Sequence, residues 1–214
     1  MNTPIKYLLR LIAISALTML VGGCGARTVV DEQGKPLAGV HVVATYWGES
    51  FYITRSNRAC FRMEVMVTGA DGTFEVPFLS GNFNPLYFDR SRHLQYFKPG
   101  YEAVPMTNDS ADPFVMRPFG GSTAQRFNNW NGAYVLYRPQ LRCKDARKKL
   151  HPVLISILGE AKQLARTYEE RRRVLEFEYQ NEIDLGVDEN AASRLVTEKR
   201  QLLRKEFGLQ GIGD

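Results

Sequence analysis

Histidine and cysteine are both scarce in this chain of 214 residues, which contains three of each. The histidines, His41, His93 and His151, do not form an H-E-x-x-H or comparable ligand pattern. A G-x-S-x-G nucleophile motif is also lacking, and no helix follows the last glycines to make them a dinucleotide-binding fingerprint. The sequence therefore predicts no metal, no cofactor and no enzymatic activity. An enzyme is an alternative that no constellation of residues supports.

Long apolar runs are lacking as well. The uncharged run Leu11–Val21 is too short for a transmembrane helix, which needs about 20 apolar residues. It follows Lys6 and Arg10 and precedes small residues and Cys24, which is the charged, apolar and small order of a signal peptide. We therefore predict an export signal over residues 1–23. The alternative is a cytosolic start with an incidental cysteine.

The residues around this cysteine resemble the bacterial lipobox, through the run Leu20-Val21-Gly22-Gly23-Cys24. The resemblance implies a diacylglyceryl thioether on Cys24 and an acylated amino group, and two acyl signals give stable membrane attachment. Gly25 stands where an Asp would resemble an inner-membrane retention signal. We therefore expect a lipid anchor in the outer membrane, facing the periplasm.

The chain has only a small excess of positive charge. The formal charge of +5 falls to +3 when Lys6 and Arg10 leave with the signal. Basic character can indicate nucleic acid or an anionic membrane as partner, but an exported protein meets little nucleic acid. We expect a solvated surface and no nucleic-acid partner.

Two cysteines remain once Cys24 carries lipid. In an oxidising compartment Cys60 and Cys143 have a single intramolecular pairing, so we predict a disulfide between them. A loop of this length would contribute about 4 kcal/mol by chain-entropy reasoning. Two buried thiols are the alternative, because the sequence does not show that the two residues are close in space.

Short alternating runs separated by turn residues extend from Arg27 to about Pro118 and favour β structure. Asp71-Gly72 is typical of a hairpin turn, and Pro99-Gly100 suits the centre of a type II turn. The predicted strands contain Val40 to Trp47, Phe61 to Val67, Phe74 to Phe78, Leu94 to Tyr96 and Val115 to Arg117.

The order of residues in this region is similar to that of the carboxypeptidase regulatory-like domain. The resemblance implies a small transthyretin-like Greek-key β-sandwich without catalytic residues, interrupted here by inserts at Gly48–Ala59 and Gly81–Arg92. The matching residues are Val29, Asp31, Gly34, Pro36, Leu37, Gly39, Val40 and Val42, then Thr68, Asp71, Gly72 and Phe74, then Pro99, Gly100 and Tyr101.

Aromatic residues occur among Asn, Ser and Gly, a composition typical of surface loops. We predict a surface loop over Phe119–Gly132 and a last short strand at Tyr134–Tyr137. Aromatic faces among amide groups suit a sugar or peptide ligand, although such loops also collect tolerant surface sequence. The residues of this predicted ligand platform are Trp47, Tyr52, Phe127 and Trp130.

From Lys144 onward the pattern becomes helical. Pro152 suits the first turn of a helix, and we predict one long helix from there to about Asp184. Gly186 can end it and Asp188 can cap the next helix, which makes an antiparallel hairpin. The two apolar stripes contain Val153, Ile157, Ala161, Leu164, Tyr168, Leu175, Tyr179 and Ile183, and then Ala192, Leu195, Val196, Leu202 and Phe207. This arrangement would bring Phe207 near Leu164 or Tyr168. The alternative is a single extended helix or a seam that pairs between chains.

Together these patterns predict an α+β chain with a signal peptide at 1–23, a β-sandwich at 24–143 and a helical tail at 144–214. We expect a non-enzymatic, lipid-anchored cell-envelope protein that acts as a scaffold or interaction module. The alternatives are a cell-wall glycan or peptide binding module and a component of an envelope or secretion assembly. The last alternative depends on architecture alone.

Overall fold

A computed structural model describes residues 26–52, 55–77, 87–104, 107–108, 112–137, 143 and 146–209. The predicted signal peptide and Cys24 lie outside the described residues. The strands are β1 (Ala26–Asp31), β2 (His41–Tyr52), β3 (Arg55–Val67), β4 (Thr73–Glu75), β5 (Tyr87–Phe97), β6 (Thr107–Asn108) and β7 (Phe114–Met116). The helices are α1 (Thr123–Tyr137), α2 (Ala146–Leu164), α3 (Tyr168–Asp184) and α4 (Glu189–Glu206).

The strands form two small sheets, with strand orders β4-β1-β7 and β3-β2-β5-β6. All neighbours are antiparallel except β1 and β7, which run parallel. The predicted α+β class is therefore confirmed.

Alternation along β2 divides its side chains between two cores, because successive residues of a strand point to opposite faces. Val42, Ala44 and Tyr46 are buried against the other sheet, while Val43 points to the opposite face. Both sheets thus contribute to one core, which contains Val29, Leu37, Val40, Val42, Ala44, Tyr46, Phe74, Val76, Leu94, Tyr96 and Met116.

The predicted turn at Asp71-Gly72 is present and brings two strands close together. Gly72 has a φ of 73°, which suits glycine, and its carbonyl accepts a hydrogen bond of 2.9 Å from the amide of Val29. A Cβ atom at Gly72 would lie 2.6 Å from the carbonyl oxygen of Val29. This position therefore requires glycine for two reasons, the backbone angle and the close approach of β1.

The predicted insert at Gly48–Ala59 lengthens a hairpin. Strands β2 and β3 remain paired from His41 and Val67 to Tyr52 and Arg55, with a shift in register after Tyr46. Much of the second insert, Gly81–Arg92, lies outside the described residues.

The prediction of a surface loop over 119–132 and of a strand at 134–137 was wrong, because α1 covers most of this segment. Its Asn and Gly residues have poor helix propensity. Phe127 and Trp130, however, stand three residues apart on one helix face and are 1% and 2% exposed. Burial of two large rings overrides weak local preferences.

The long first helix predicted from Pro152 to Asp184 is divided. Helix α2 begins at Ala146, so Pro152 lies inside it and not in its first turn, and the helix ends at Leu164. Thr167 then caps α3 by accepting from the amide of Glu170, whose side chain accepts from the amide of Thr167. This reciprocal capping box satisfies amides that a new helix would otherwise leave unpaired, so the chain can turn there.

The second turn of the tail agrees with the prediction. Gly186 has a φ of 89°, Asp188 caps α4 by accepting from the amide of Ala191, and the rings of Tyr168 and Phe207 lie 6.0 Å apart. Helices α3 and α4 therefore form an antiparallel hairpin.

The predicted apolar stripe of α4 is only partly correct. Ala192 and Val196 are buried, whereas Leu195 and Leu202 are 47% and 67% exposed, and Leu203 is buried instead. The hairpin buries a narrower face of α4 than the apolar spacing predicts.

The helices share a core with the four-stranded sheet, on the face opposite the other sheet. Val43, Met63 and Phe97 from the sheet belong to the same cluster as Trp130 of α1 and Leu150 of α2. Helical structure thus begins before the predicted boundary at residue 144 and packs directly on the sheet. None of the described helices has the length and apolarity needed to cross a membrane.

Candidate functional site

The two cysteines of the predicted bridge lie at disulfide-bonding distance, with their Cα atoms 4.9 Å apart. Cys60 lies in β3 and Cys143 lies between α1 and α2. The pair therefore links the four-stranded sheet to the helices packed on it.

The predicted aromatic platform does not form as a unit. Phe127 and Trp130 are buried with their ring centroids 5.0 Å apart, so they belong to the core and offer no exposed face to a ligand. Tyr52 ends β2, and its side chain lies outside the described residues. Among the four predicted residues, Trp47 has a partly exposed side chain.

Trp47 belongs to a polar cluster on the helix-covered face of the four-stranded sheet. Side chains on this face of β2 change from buried Val43 and Thr45 to half-buried Trp47. Arg58 of β3 reaches across β2, with its guanidinium 5.9 Å from the Trp47 ring centroid. We name Trp47, Arg58, Ser91 and His93 the sheet-face cluster.

Short contacts connect the members of the sheet-face cluster. Arg58 Nη2 lies 3.0 Å from both Ser91 Oγ and His93 Nε2, and Ser91 Oγ lies 3.1 Å from His93 Nε2. Trp47 donates from its indole nitrogen to Thr45 Oγ1 at 3.1 Å. These side chains come from three neighbouring strands, β3, β2 and β5.

The contact with Arg58 assigns the tautomer of His93. A guanidinium has donors and no acceptor, so His93 Nε2 must accept and the ring proton must be on Nδ1. This Nε2 has one lone pair, which the Arg58 donor already occupies. Although Ser91 and His93 have the spacing of a nucleophile and a base, Arg58 competes with the Ser91 hydroxyl for the same lone pair.

The cluster is better suited to binding an anion than to proton transfer. Arg58 has an exposed side chain and no carboxylate partner among the described residues. A guanidinium matches a carboxylate well, because it presents several donors in one plane, and Arg58 presents these donors near the Trp47 ring. The Ser91 hydroxyl offers a further donor beside it.

Sequence reasoning missed three members of this cluster. Arg58 and Ser91 fell inside predicted inserts, and His93 was considered only as a metal ligand. The single local signal was the spacing of Ser91 and His93, which places both on one face of a strand.

A concave surface lies between the end of α2 and the α3–α4 hairpin. It encloses a volume of about 350 Å³, and we name it the hairpin groove. Its apolar lining consists of Ala165, Val174, Leu175 and Leu203, and Leu202 stands at its rim.

The charged side chains of the hairpin groove are paired within the chain. Glu178 contacts Lys162 and also Lys199, the latter at 3.2 Å, and Arg171 pairs with Glu206. Burial raises the pKa of Glu178, but the hydrogen bonds from Lys162 and Lys199 outweigh burial and hold that pKa below its usual range. These pairs leave the groove without a strong demand for a charged ligand.

In the part of the chain that the structure describes, no group of three or more His, Cys, Asp or Glu side chains is placed to hold a metal ion. Comparisons of the chain with protein-family models, with curated proteins and with solved structures found no match.

Proposed function

We propose that this protein is a non-enzymatic, lipid-anchored cell-envelope interaction module. The lipobox-like residues that end at Cys24 support the anchor. The shared core of sheet, α1 and α2 supports a rigid body, because close-packed interiors resist deformation. The chain would thus hold a binding surface near the outer membrane.

We further infer that the two sheets form the Greek-key sandwich of the carboxypeptidase regulatory-like family. Residues of the resembling pattern make structural contacts that support this reading. Thr68 accepts from the amide of Val40 and donates to the carbonyl of Leu37. Asp71 accepts from both the amide and the hydroxyl of Thr73.

The chemical class of the ligand is inferred from the sheet-face cluster. Trp47 offers an aromatic surface, and Arg58 and Ser91 offer donors beside it. Glycans and peptides of the cell wall bring apolar faces together with carboxylates, which are the groups that such a site recognises. The ligand is therefore a carboxylate-bearing part of the cell wall.

Retention on purified peptidoglycan tests this function. Charge-assisted hydrogen bonds contribute about 1.5 to 3 kcal/mol, so Arg58→Ala should weaken retention at least about tenfold. Arg117→Ala is the matched control, because it also removes an exposed guanidinium, and Arg117 Nε lies 3.4 Å from Glu32 Oε1, away from the sheet-face cluster. Wild-type binding should also fall when the carboxyl groups of the peptidoglycan are amidated.

Two results would overturn the proposed ligand. One is an absence of wild-type retention, and the other is equal retention of the Arg58→Ala and Arg117→Ala variants. A second candidate function, a component of an envelope assembly, is favoured by the exposed Leu202 beside the hairpin groove.

A further inference from the structure

The lipid anchor of the proposed function lies very close in sequence to the first strand. Gly25 alone separates Cys24 from Ala26, the first residue of β1. Two residues of chain span at most about 7 Å. If Cys24 carries lipid, on which the inference below rests, the start of β1 is therefore held close to the membrane surface.

The strand register identifies the end of the molecule that carries this anchor. Strands β1 and β4 are antiparallel, with Ala26 opposite Glu75, so the chain before Ala26 and the chain after Glu75 leave at the same end. Two residues after Glu75, the carbonyl of Pro77 accepts a hydrogen bond of 2.6 Å from the Tyr46 hydroxyl. The anchor thus leaves at the end toward which β2 runs beyond Tyr46.

The four-stranded sheet continues past Tyr46 at this end. Strand β2 runs on to Tyr52 and stays paired with β3 and β5. We name this part, residues 47–52, 55–60 and 87–91, the strand extension. Its six residues of β2 measure about 20 Å along the strand. The small sheet has no counterpart of this length, because β4 ends at Glu75.

The short link to the anchor determines how the strand extension can lie. An upright molecule would push it about 20 Å past the anchor, whereas a headgroup layer is only about 5 to 8 Å thick. The strands must therefore incline toward the membrane surface. Because the anchor leaves from β1, the small sheet lies on the membrane side. The helix-covered face, with the sheet-face cluster, then points away from the membrane.

We propose that the strand extension docks in the phospholipid headgroup layer beside the anchor. Five of its 17 residues are aromatic, a share well above the 11% of the whole chain, and aromatic side chains are enriched where a membrane meets water. It contains three arginines and two acidic residues, so its charge does not oppose anionic phosphates, which guanidinium groups bind. The aromatic residues are Trp47, Phe51, Tyr52, Tyr87 and Phe88.

Photo-crosslinking of the acylated full-length protein in vesicles tests this docking. The vesicles contain phosphatidylethanolamine and phosphatidylglycerol, and a benzophenone-bearing phenylalanine replaces Tyr52, Phe88 or Lys148. Tyr52 and Phe88 belong to the strand extension, whereas Lys148 is exposed on α2, on the opposite side of the sheet. Phospholipid adducts, detected by mass spectrometry, should form from Tyr52 and Phe88 and stay at background from Lys148. Unchanged thermal unfolding temperatures show that the substituted proteins are folded.

The same samples separate failure of the docking from failure of the anchor. Flotation with the vesicles and fatty acid labelling at Cys24 report on the anchor. Background adducts from both Tyr52 and Phe88 in protein that floats, or the highest yield from Lys148, would overturn the docking alone. Protein that is not acylated would overturn the anchor and the docking together. Peptidoglycan retention is measured separately, so the proposed ligand is tested independently of the docking.

Discussion

Removal of either partner of a buried ion pair should reveal what holds the helices on the sheet. Glu160 of α2 is 6% exposed, and Arg126 of α1 is 34% exposed. One carboxylate oxygen of Glu160 accepts from Arg126 Nε and Nη2 at 2.8 and 2.6 Å and from the amide of Gly100 at 2.8 Å. This pair thus links two helices to the turn that follows β5.

The two single substitutions should differ in cost. Arg126→Ala leaves the Glu160 carboxylate buried with one amide donor, and an uncompensated buried charge costs about 3 to 5 kcal/mol. Glu160→Ala leaves a guanidinium that water reaches, so its cost should be nearer the 1.5 to 3 kcal/mol of lost charged hydrogen bonds, about half as large. The double variant should cost less than the sum of the two, because the same interaction is lost in both.

Urea unfolding of the disulfide-bonded protein, followed by tryptophan fluorescence, measures these free energies. Trp130 is buried beside Phe177, with ring centroids 4.9 Å apart, so it reports on the helical core. Arg117→Ala is the control, since an exposed ion pair contributes at most about 1 kcal/mol. The reasoning is refuted if Glu160→Ala costs more than Arg126→Ala, or if Arg126→Ala costs no more than the control.

Three further predictions concern a glycine in a turn, the pH dependence of stability and the lipid anchor. Gly72→Ala should lower the free energy of unfolding more than Gly34→Ala, because both glycines have positive φ but open space surrounds only Gly34; equal losses in chemical denaturation would contradict this. Burial raises the pKa of Tyr96 from 10.0 to about 12. The protonated side chain therefore contributes about 2 to 3 kcal/mol to the free energy of unfolding, and this contribution is complete below pH 10 and is lost as pH rises through 12. Tyr96→Phe should remove that part of the alkaline loss in urea titrations, and an unchanged pH profile would argue against it. Cys24→Ser should abolish incorporation of labelled fatty acid, and continued labelling would show that the lipobox interpretation is wrong.

The sequence alone determined the local events of this fold. Gly186 and Asp188 end one helix and begin the next because a left-handed angle and an N-cap are properties of single residues. The turn at Gly72 is local as well, because its positive φ is also a property of a single residue. Thr167 and Glu170 also form a local pattern, and their capping-box spacing could have indicated the break between α2 and α3.

Only the tertiary structure decided which faces are buried and which side chains meet. Phe127 and Trp130 make α1 a helix because the sheet and α2 cover them, although Asn and Gly around them favour a loop. Leu202 stays exposed because the hairpin packs through Leu203, a choice that apolar spacing along α4 leaves open. Arg58 meets His93 because β3 and β5 both flank β2, and contacts between residues so far apart in sequence depend on strand pairing and not on local pattern.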